Sequence, residues 1–145
     1  MIGYKSLKQT LLGCVWGAGL ISASAWAGFS ISGTQLLDGN GQPFVMRGIN
    51  HAHTWYTGQT NSAIPNIANT GANLVRVVLS NGTHKEGWVR TPASEVANII
   101  TLCKNNRVIC MLEVHDTTGY GEKAEATSLA QAAEYWVSRA STLRG

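Results

Sequence analysis

Residues 74–79 read Leu-Val-Arg-Val-Val-Leu, and residues 108–115 read Val-Ile-Cys-Met-Leu-Glu-Val-His. Both stretches are short, rich in β-branched residues and almost continuously apolar. This pattern is typical of strands that are buried on both faces of a parallel sheet. We therefore predict two strands of one parallel sheet at these places, with a single charged residue, Arg76, inside the first.

The segments around these strands have helical periodicity. Before the first strand, apolar residues recur at positions 64, 67 and 68, and Gly71 suits the helix end. Between the strands, Thr91 predicts an N-cap, Pro92 the first helical position and Glu95 the opening turn. That helix has an apolar stripe formed by Val96, Ile99, Ile100 and Cys103. After the second strand, a third helix is predicted with one face formed by Leu129, Ala132, Ala133, Trp136 and Ala140.

Two short apolar runs flank Asp38-Gly39-Asn40-Gly41 near the start of the sequence. Glycine, asparagine and aspartate tolerate the positive φ angles of tight turns, so this segment predicts a small β-hairpin. The hairpin leads into a first core strand at residues 44–50.

Three strand–helix repeats with short connections indicate a parallel sheet with crossover helices. A doubly wound sheet and a closed eight-stranded barrel share this beginning. No glycine-rich phosphate loop follows the first strand, which disfavours a nucleotide-binding sheet. A barrel requires ~250 residues, so residues 28–145 would hold three of its eight βα units; the alternative is a smaller open sheet.

Residues 1–27 have the pattern of a secretory signal peptide. Lys5 and Lys8 precede a short apolar run, and Ala25-Trp26-Ala27 offers a small-x-small cleavage site. We expect cleavage after Ala27 and a secreted, extracellular protein. The alternative is a lipoprotein cleaved before Cys14, although little apolar sequence precedes that cysteine.

Removal of residues 1–27 leaves nine basic and eight acidic side chains without a basic cluster. We therefore expect no nucleic-acid partner and, after signal removal, no membrane partner. Cys103 and Cys110 remain as a pair in a compartment where disulfides persist. They are interpreted either as a disulfide or as two small buried thiols, and their spacing does not indicate a metal site.

Polar residues cluster where the predicted strands end, which is where parallel βα folds place their sites. Strand parity puts Arg76 on the face of its strand that also carries Ser80, and it puts Glu113 on the same face of its strand as His115. A buried arginine is costly unless it meets an anion. Arg76 and His115 are therefore predicted to face one central site; the alternative is that Arg76 and Glu113 form a purely structural ion pair.

Residues 48–56 (GINHAHTWY), 70–82 (TGANLVRVVLSNG) and 111–122 (MLEVHDTTGYGE) together resemble glycoside hydrolase family 5, specifically its bacterial endo-β-1,4-mannanases. The resemblance extends from about residue 29 to residue 143. It implies an α/β fold in which residues 28–145 are the three N-terminal βα units of a (β/α)₈ TIM barrel, preceded by a small β-hairpin.

The resemblance also implies the roles of individual residues. Arg76 matches the arginine that hydrogen-bonds the nucleophilic glutamate, and His115 matches an active-site histidine. Asn50, His53 and Trp55 match the segment that lines the sugar subsites. A polysaccharide substrate, β-mannan or a related β-1,4-glycan, is expected, with no cofactor and no metal.

The sequence departs from the family in lacking its two catalytic glutamates. This departure matters because retaining glycosidases need a pair of carboxyl groups ~5–5.5 Å apart. No Asn-Glu pair occurs, and Glu113 and Asp116 are the only acids expected near the site. We therefore expect the front part of a longer mannanase that is inactive alone.

Three alternatives remain at this point: a cellulase or other β-1,4-glucanase of the same family, a non-catalytic sugar-binding remnant, and a metal-dependent barrel hydrolase. The last rests on His51 and His53, which lie two residues apart and therefore share one face of a strand.

Overall fold

A computed structural model describes residues 28–144. Within them, residues 28–44 belong to one compact unit and residues 45–144 to another. The predicted signal peptide, residues 1–27, lies outside the described residues, and so does Cys14 of the lipoprotein alternative.

The first unit contains a β-hairpin, as the sequence predicts, but the turn lies elsewhere. Strand β1 (Ser30–Ser32) pairs antiparallel with β2 (Gln35–Leu37) around Gly33, whose φ is +58°. The predicted turn at residues 38–41 is a second turn, closed by a single bridge between Leu37 and Pro43. Asp38 stabilises it by accepting the backbone N–H groups of Gln42 and Asn40, which lower the pKa of its carboxyl.

The second unit is built on a parallel three-stranded sheet. Its strands are β3 (Gly48–His51), β4 (Leu74–Leu79) and β5 (Ile109–Val114), hydrogen-bonded in the order β3-β4-β5. Asn50 pairs with Arg76, and Arg76 pairs with Met111, so these three side chains share one face of the sheet.

Helices α1 (Thr60–Asn69) and α2 (Ala93–Asn105) connect the strands in the predicted strand–helix order. The buried core consists of apolar residues of α1, β4, α2 and the start of β5: Ile64, Ile67, Val75, Val77, Leu79, Val96, Ile99, Cys103 and Val108. The alternation along β4 explains the pattern: Val75, Val77 and Leu79 belong to this core, and Arg76 lies on the other face. No helix within residues 28–144 is long and apolar enough to span a membrane.

The first core strand begins at Gly48, four residues later than predicted. Ahead of it, the side chain of Asn73 accepts the N–H of Arg47 and donates to the carbonyl of Val45, at 2.8 Å each. A side chain therefore provides the bonds that a neighbouring strand would provide, and regular pairing starts only where Leu74 lies opposite Gly48.

The start of α2 also differs from the prediction. Pro92, not Thr91, is the N-cap residue, and no side chain caps the helix. The hydroxyl of Thr91 is buried and accepts the backbone N–H of Ser80 at 3.2 Å, so it contacts the end of β4 instead. Glu95 lies in the first turn, as predicted.

The third predicted helix is interrupted, and its predicted apolar face is confirmed only in part, because Trp136 packs against the core while Leu129 does not. The segment forms α3 (Leu129–Val137) and the short α4 (Ala140–Arg144). Leu129 is 58% exposed, and Tyr135 is the buried residue of α3. The hydroxyl of Tyr135 donates to the carbonyl of Thr91 at 3.0 Å, a contact that the apolar periodicity does not predict.

Cys103 and Cys110 form a disulfide between the end of α2 and β5, with their Cα atoms 5.9 Å apart. Of the two interpretations of this pair, the structure therefore has the bonded one.

Candidate active site

The site lies at the carboxyl ends of the three parallel strands. The segments that follow β3, β4 and β5 are residues 52–59, 80–92 and 115–128, and two of them contain short 3₁₀ helices at Thr57–Gln59 and His115–Thr117. These segments bring side chains from all three strand ends together.

Four aromatic rings line an open cleft there. The ring of His84 stacks on Trp88 with centroids 3.8 Å apart and an interplanar angle of 5°, and Trp88 stacks on His115 at 5.7 Å. Trp55 packs edge-on against Trp88 at 5.0 Å and against His115 at 5.5 Å. Trp55 remains 46% exposed, so part of the cluster is available to a ligand.

The rim of the cleft is polar and carries both charges: Glu86, Thr118, Lys123 and Glu125. The expectation that Glu113 and Asp116 are the only acids near the site is therefore wrong. Glu86 and Glu125 reach it from the long segments after β4 and β5, whose course the strand pattern does not determine.

The structure brings Arg76 and His115 together through Glu113. Oε1 of Glu113 lies 2.7 Å from Nη2 of Arg76 and 2.9 Å from Nδ1 of His115. All three side chains are about one-quarter to one-third exposed. The ion pair lies at the exposed side of the sheet, where its charged groups can meet a further ligand.

The other predicted site residues lie in different surroundings. Trp55 lines the cleft, and Asn50 is exposed on β3 beside Arg76. His53 is 1% exposed; its Nδ1 is 2.7 Å from the hydroxyl of Thr60 and its Nε2 is 3.3 Å from Oε1 of Glu95. The contact with Glu95 lies within ion-pair range but is poorly aligned for a hydrogen bond. The side chain of His53 thus contacts the starts of α1 and α2 and is not among the residues that line the cleft.

His51 and His53 share the hydroxyl of Thr60, because Nε2 of His51 lies 2.8 Å from the same oxygen. One hydroxyl proton can serve only one ring, so at least one of the histidines must present an N–H to it. Burial lowers the pKa of both rings; the neighbouring His53 lowers that of His51 further, and Glu95 partly offsets the effect on His53. Within residues 28–144, no group of three or more metal-ligating side chains is placed to bind a metal ion.

Asp116 is fully buried and organises the segment after β4. Its carboxylate accepts the hydroxyl of Ser80 at 2.8 Å and the backbone N–H of Asn81 at 2.9 Å. The backbone N–H groups of Thr83 and His84 lie 3.3 Å from Oδ1 of Asp116.

The other end of this segment is fixed by two arginines around Tyr135. The guanidinium groups of Arg90 and Arg139 lie 5.0 Å and 4.6 Å from the centre of the Tyr135 ring. Arg90 also donates to the carbonyl of Asn81 at 2.9 Å. Gly82 allows this fold-back, since its φ is +77° and a Cβ there would lie 2.6 Å from the Cβ of Arg90.

The aromatic faces, with hydrogen-bonding groups around them, suit a sugar ring, which has an apolar face and a polar edge. The comparison with protein families agrees with this chemistry, because the family "Cellulase (glycosyl hydrolase family 5)" matches residues 37–144. The chain belongs to glycosyl hydrolase family 5. Together with the parallel sheet, this membership identifies the three βα units as part of a TIM barrel.

The chain is similar to proteins named mannan endo-1,4-beta-mannosidase. It is 57% identical to that of Streptomyces lividans over 120 residues, which cover 83% of this chain and 30% of the relative. It is 50% identical to that of Cellvibrio japonicus over 139 residues, 94% of this chain and 31% of the relative.

A solved structure agrees with these sequence relatives. The β-mannanase of Streptomyces thermolilacinus, crystallised with mannohexaose, superposes with a TM-score of 0.75 at 55% identity, covering 82% of this chain and 38% of the other. The chain therefore spans about a third of the length of the curated relatives that it matches.

His84 and Trp88 are the aromatic cleft residues that the sequence interpretation missed. Both lie in the segment between β4 and α2, and an aromatic pair after a buried parallel strand is the signal that could have indicated them.

Proposed function

We propose that this chain is the N-terminal part of the catalytic barrel of an exported endo-β-1,4-mannanase, which cleaves β-mannan with retention of anomeric configuration. The cleft of Trp55, His84, Trp88 and His115 is the observation that carries the proposal, because it combines ring faces with polar edges at the carboxyl ends of barrel strands. Identities of 50–57% to proteins named as mannosidases support mannan as the substrate.

In this proposal each part of the chain has its own task. Trp55 and Trp88 provide ring faces on which mannose units stack. Arg76 holds a nucleophilic glutamate ionised and oriented. Its guanidinium group contacts Glu113, which also contacts His115. The chain supplies binding and positioning groups, while the acid/base and nucleophile glutamates come from later strands of the whole enzyme.

Glu113 and Asp116 are not suited to replace those glutamates. The carboxylate of Glu113 is engaged by Arg76 and His115, and that of Asp116 is buried and accepts several hydrogen bonds. We therefore expect the purified 145-residue chain to release no reducing sugar from mannan or cellulose. Turnover by the chain alone would contradict this, and an E86Q or E125Q variant would then show whether a rim carboxylate is responsible.

The proposal is tested on the whole enzyme with β-mannan. An endo-acting retaining mannanase lowers the viscosity of the polymer before much reducing sugar appears, and proton NMR detects the β-anomer first. Cellulose cleaved faster than mannan would favour a β-1,4-glucanase, and inverted products would contradict the two-carboxylate retaining mechanism. Binding of mannan without any hydrolysis would favour a sugar-binding protein.

Export is the second part of the proposal and rests on the charge and apolar pattern of residues 1–27. N-terminal sequencing of the secreted protein is expected to begin at Gly28. Material that retains Met1 in the cytoplasm would contradict export, and a lipid-modified Cys14 would establish the lipoprotein alternative.

A further inference from the structure

We propose that Asp116 is a positioning residue for the aromatic cleft. Its carboxylate fixes the segment that carries His84 and Trp88 against the segment that begins with His115. This inference rests on the proposed function, because it gives the ordered cleft the task of binding mannan.

The first observation is how the negative charge of Asp116 is compensated. The side chain is 0% exposed, and among residues 28–144 it forms no ion pair. A buried carboxylate is costly unless its oxygens are hydrogen-bonded. Here the donors are the hydroxyl of Ser80 and the backbone N–H groups of Asn81, Thr83 and His84. These donors converge only when this segment adopts the observed course, so the charge selects that conformation.

The second observation is a closed set of contacts that leads back to Asp116. Its Oδ1 lies 3.3 Å from the backbone N–H of His84, and the ring of His84 stacks on Trp88. Trp88 in turn stacks on His115, the residue that precedes Asp116. The carboxylate and the aromatic stack therefore join the same two segments, one below the surface and the other in the cleft.

The backbone of Asp116 also contacts its own segment. The backbone carbonyl of Asp116 accepts the N–H of Thr127 at 2.8 Å, and the hydroxyls of Thr83 and Thr127 are hydrogen-bonded to each other. Asp116 thus lies at the junction of both segments, although it is not among the residues that line the cleft.

Substitution by asparagine separates this role from simple packing. Asparagine has the same size, but its amide nitrogen donates and cannot accept. One end of the side chain would then present N–H groups either to the N–H of Asn81 or to those of Thr83 and His84. The segment must move to relieve this opposition, and the stack of His84 on Trp88 is lost.

The test compares D116N with E122Q in the whole enzyme. Glu122 is an exposed acid in the same segment, so E122Q makes the same charge change without touching the buried carboxylate. For D116N we expect the KM for mannohexaose to rise about ten-fold, as for buried donors left without their acceptor, and kcat to stay within about three-fold. We also expect loss of the part of the near-UV circular dichroism that a W88F variant lacks. E122Q should resemble the unmodified enzyme in all three measurements.

A milder variant keeps the test decisive if D116N does not fold. S80A removes one donor and leaves the backbone donors, so the KM should rise about three-fold, with part of the Trp88 signal lost. Unchanged KM and an unchanged Trp88 signal in D116N, or in S80A where D116N is unfolded, overturn the proposal. A lowered melting temperature with both readouts unchanged also overturns it, because it shows a merely structural role.

Failure of this inference is distinguishable from failure of the proposed function. If the whole enzyme does not hydrolyse β-mannan, the proposed function fails. The dichroism comparison needs no substrate and still decides whether Asp116 forms the stack.

Discussion

Arg76 and Glu113 face each other from neighbouring strands, with Nη2 and Oε1 2.7 Å apart. A guanidinium group has five N–H donors in a planar fork, so one contact with Glu113 leaves donors for a second anion. The ion pair and the proposed contact with a nucleophilic glutamate are therefore compatible. The two roles nevertheless lead to different expected effects of replacing Arg76.

Replacing Arg76 with leucine in the whole enzyme is expected to lower kcat about 100-fold or more, since a misplaced catalytic group costs on this order. A nearby positive charge lowers the pKa of a carboxyl, so its removal raises the pKa of the nucleophile. Because only the ionised carboxylate attacks, the acidic limb of the pH–rate profile should move to higher pH.

The matched control for this substitution is E113Q, which removes the partner of Arg76 and leaves the guanidinium in place. If Arg76 acts only on Glu113, both variants lower the melting temperature and neither moves the pH–rate profile of the surviving enzyme. A shifted profile in R76L alone assigns Arg76 to the catalytic carboxylate.

Trp88 lies at the centre of the aromatic cleft and contacts three other rings. Replacing it with alanine should raise the KM for mannohexaose about ten-fold, consistent with the loss of a ring that ligands contact. Tyr56 is the control, because it is 54% exposed in the neighbouring segment and does not line the cleft. Equal effects of W88A and Y56A on KM would refute the role of the cleft.

His51 and His53 predict loss of stability in mild acid. Burial lowers the pKa of both below the ordinary value of 6.5, so the unfolded chain takes up protons first as the pH falls. Their contribution to stability is complete above about pH 6.5 and is lost progressively below it, towards the lowered pKa values. The melting temperature should fall over this range.

Glutamine in place of His51 or His53 should reduce the acid-dependent part of that fall, although it also lowers stability at neutral pH by disturbing the contacts with Thr60. The difference between the melting temperatures at two pH values, measured for each variant, separates the two effects. An acid dependence that survives both substitutions would have to come from other groups, and the assignment would be wrong.

The bond between Cys103 and Cys110 closes a short loop, with a sequence separation of seven residues. A disulfide of this span stabilises by roughly 2–3 kcal/mol through the restriction of the unfolded chain. Thermal melts with and without reductant should therefore differ by several degrees, and a C103S/C110S variant should melt like the reduced protein and ignore the reductant. Identical melts in all samples would show that the thiols are unbonded in solution.

Strand β4 and the first two helices are predictable because burial dictates their sequence directly. Val75, Val77 and Leu79 of β4 pack against Val96, Ile99 and Cys103 of α2 in one core. The apolar spacing of the sequence therefore predicts these elements. The third helix is not predictable in this way. The buried Tyr135 donates a hydrogen bond to the carbonyl of Thr91, and its ring lies next to the guanidinium group of Arg90. Contacts so distant in sequence leave no local periodicity.

The site likewise has a part that the sequence predicts and a part that it does not. Strand parity predicts that Arg76 and His115 face a common region, and both contact Glu113. The strand pattern does not determine the course of residues 80–92, which places His84 and Trp88 in the cleft. This segment is contacted by residues far away in the sequence, Asp116 at Ser80 and Tyr135 at Arg90. His53 shows the opposite case, since a residue that matches a sugar-lining segment has its ring buried against Thr60.

The ratio of kcat/KM for mannohexaose to that for cellohexaose, measured on the whole enzyme, tests the central claim most directly. Because kcat/KM measures transition-state binding from free enzyme and substrate, the ratio expresses which sugar the complete site favours. The expected ratio is well above one. A ratio below one would contradict it and identify the chain as part of a glucanase.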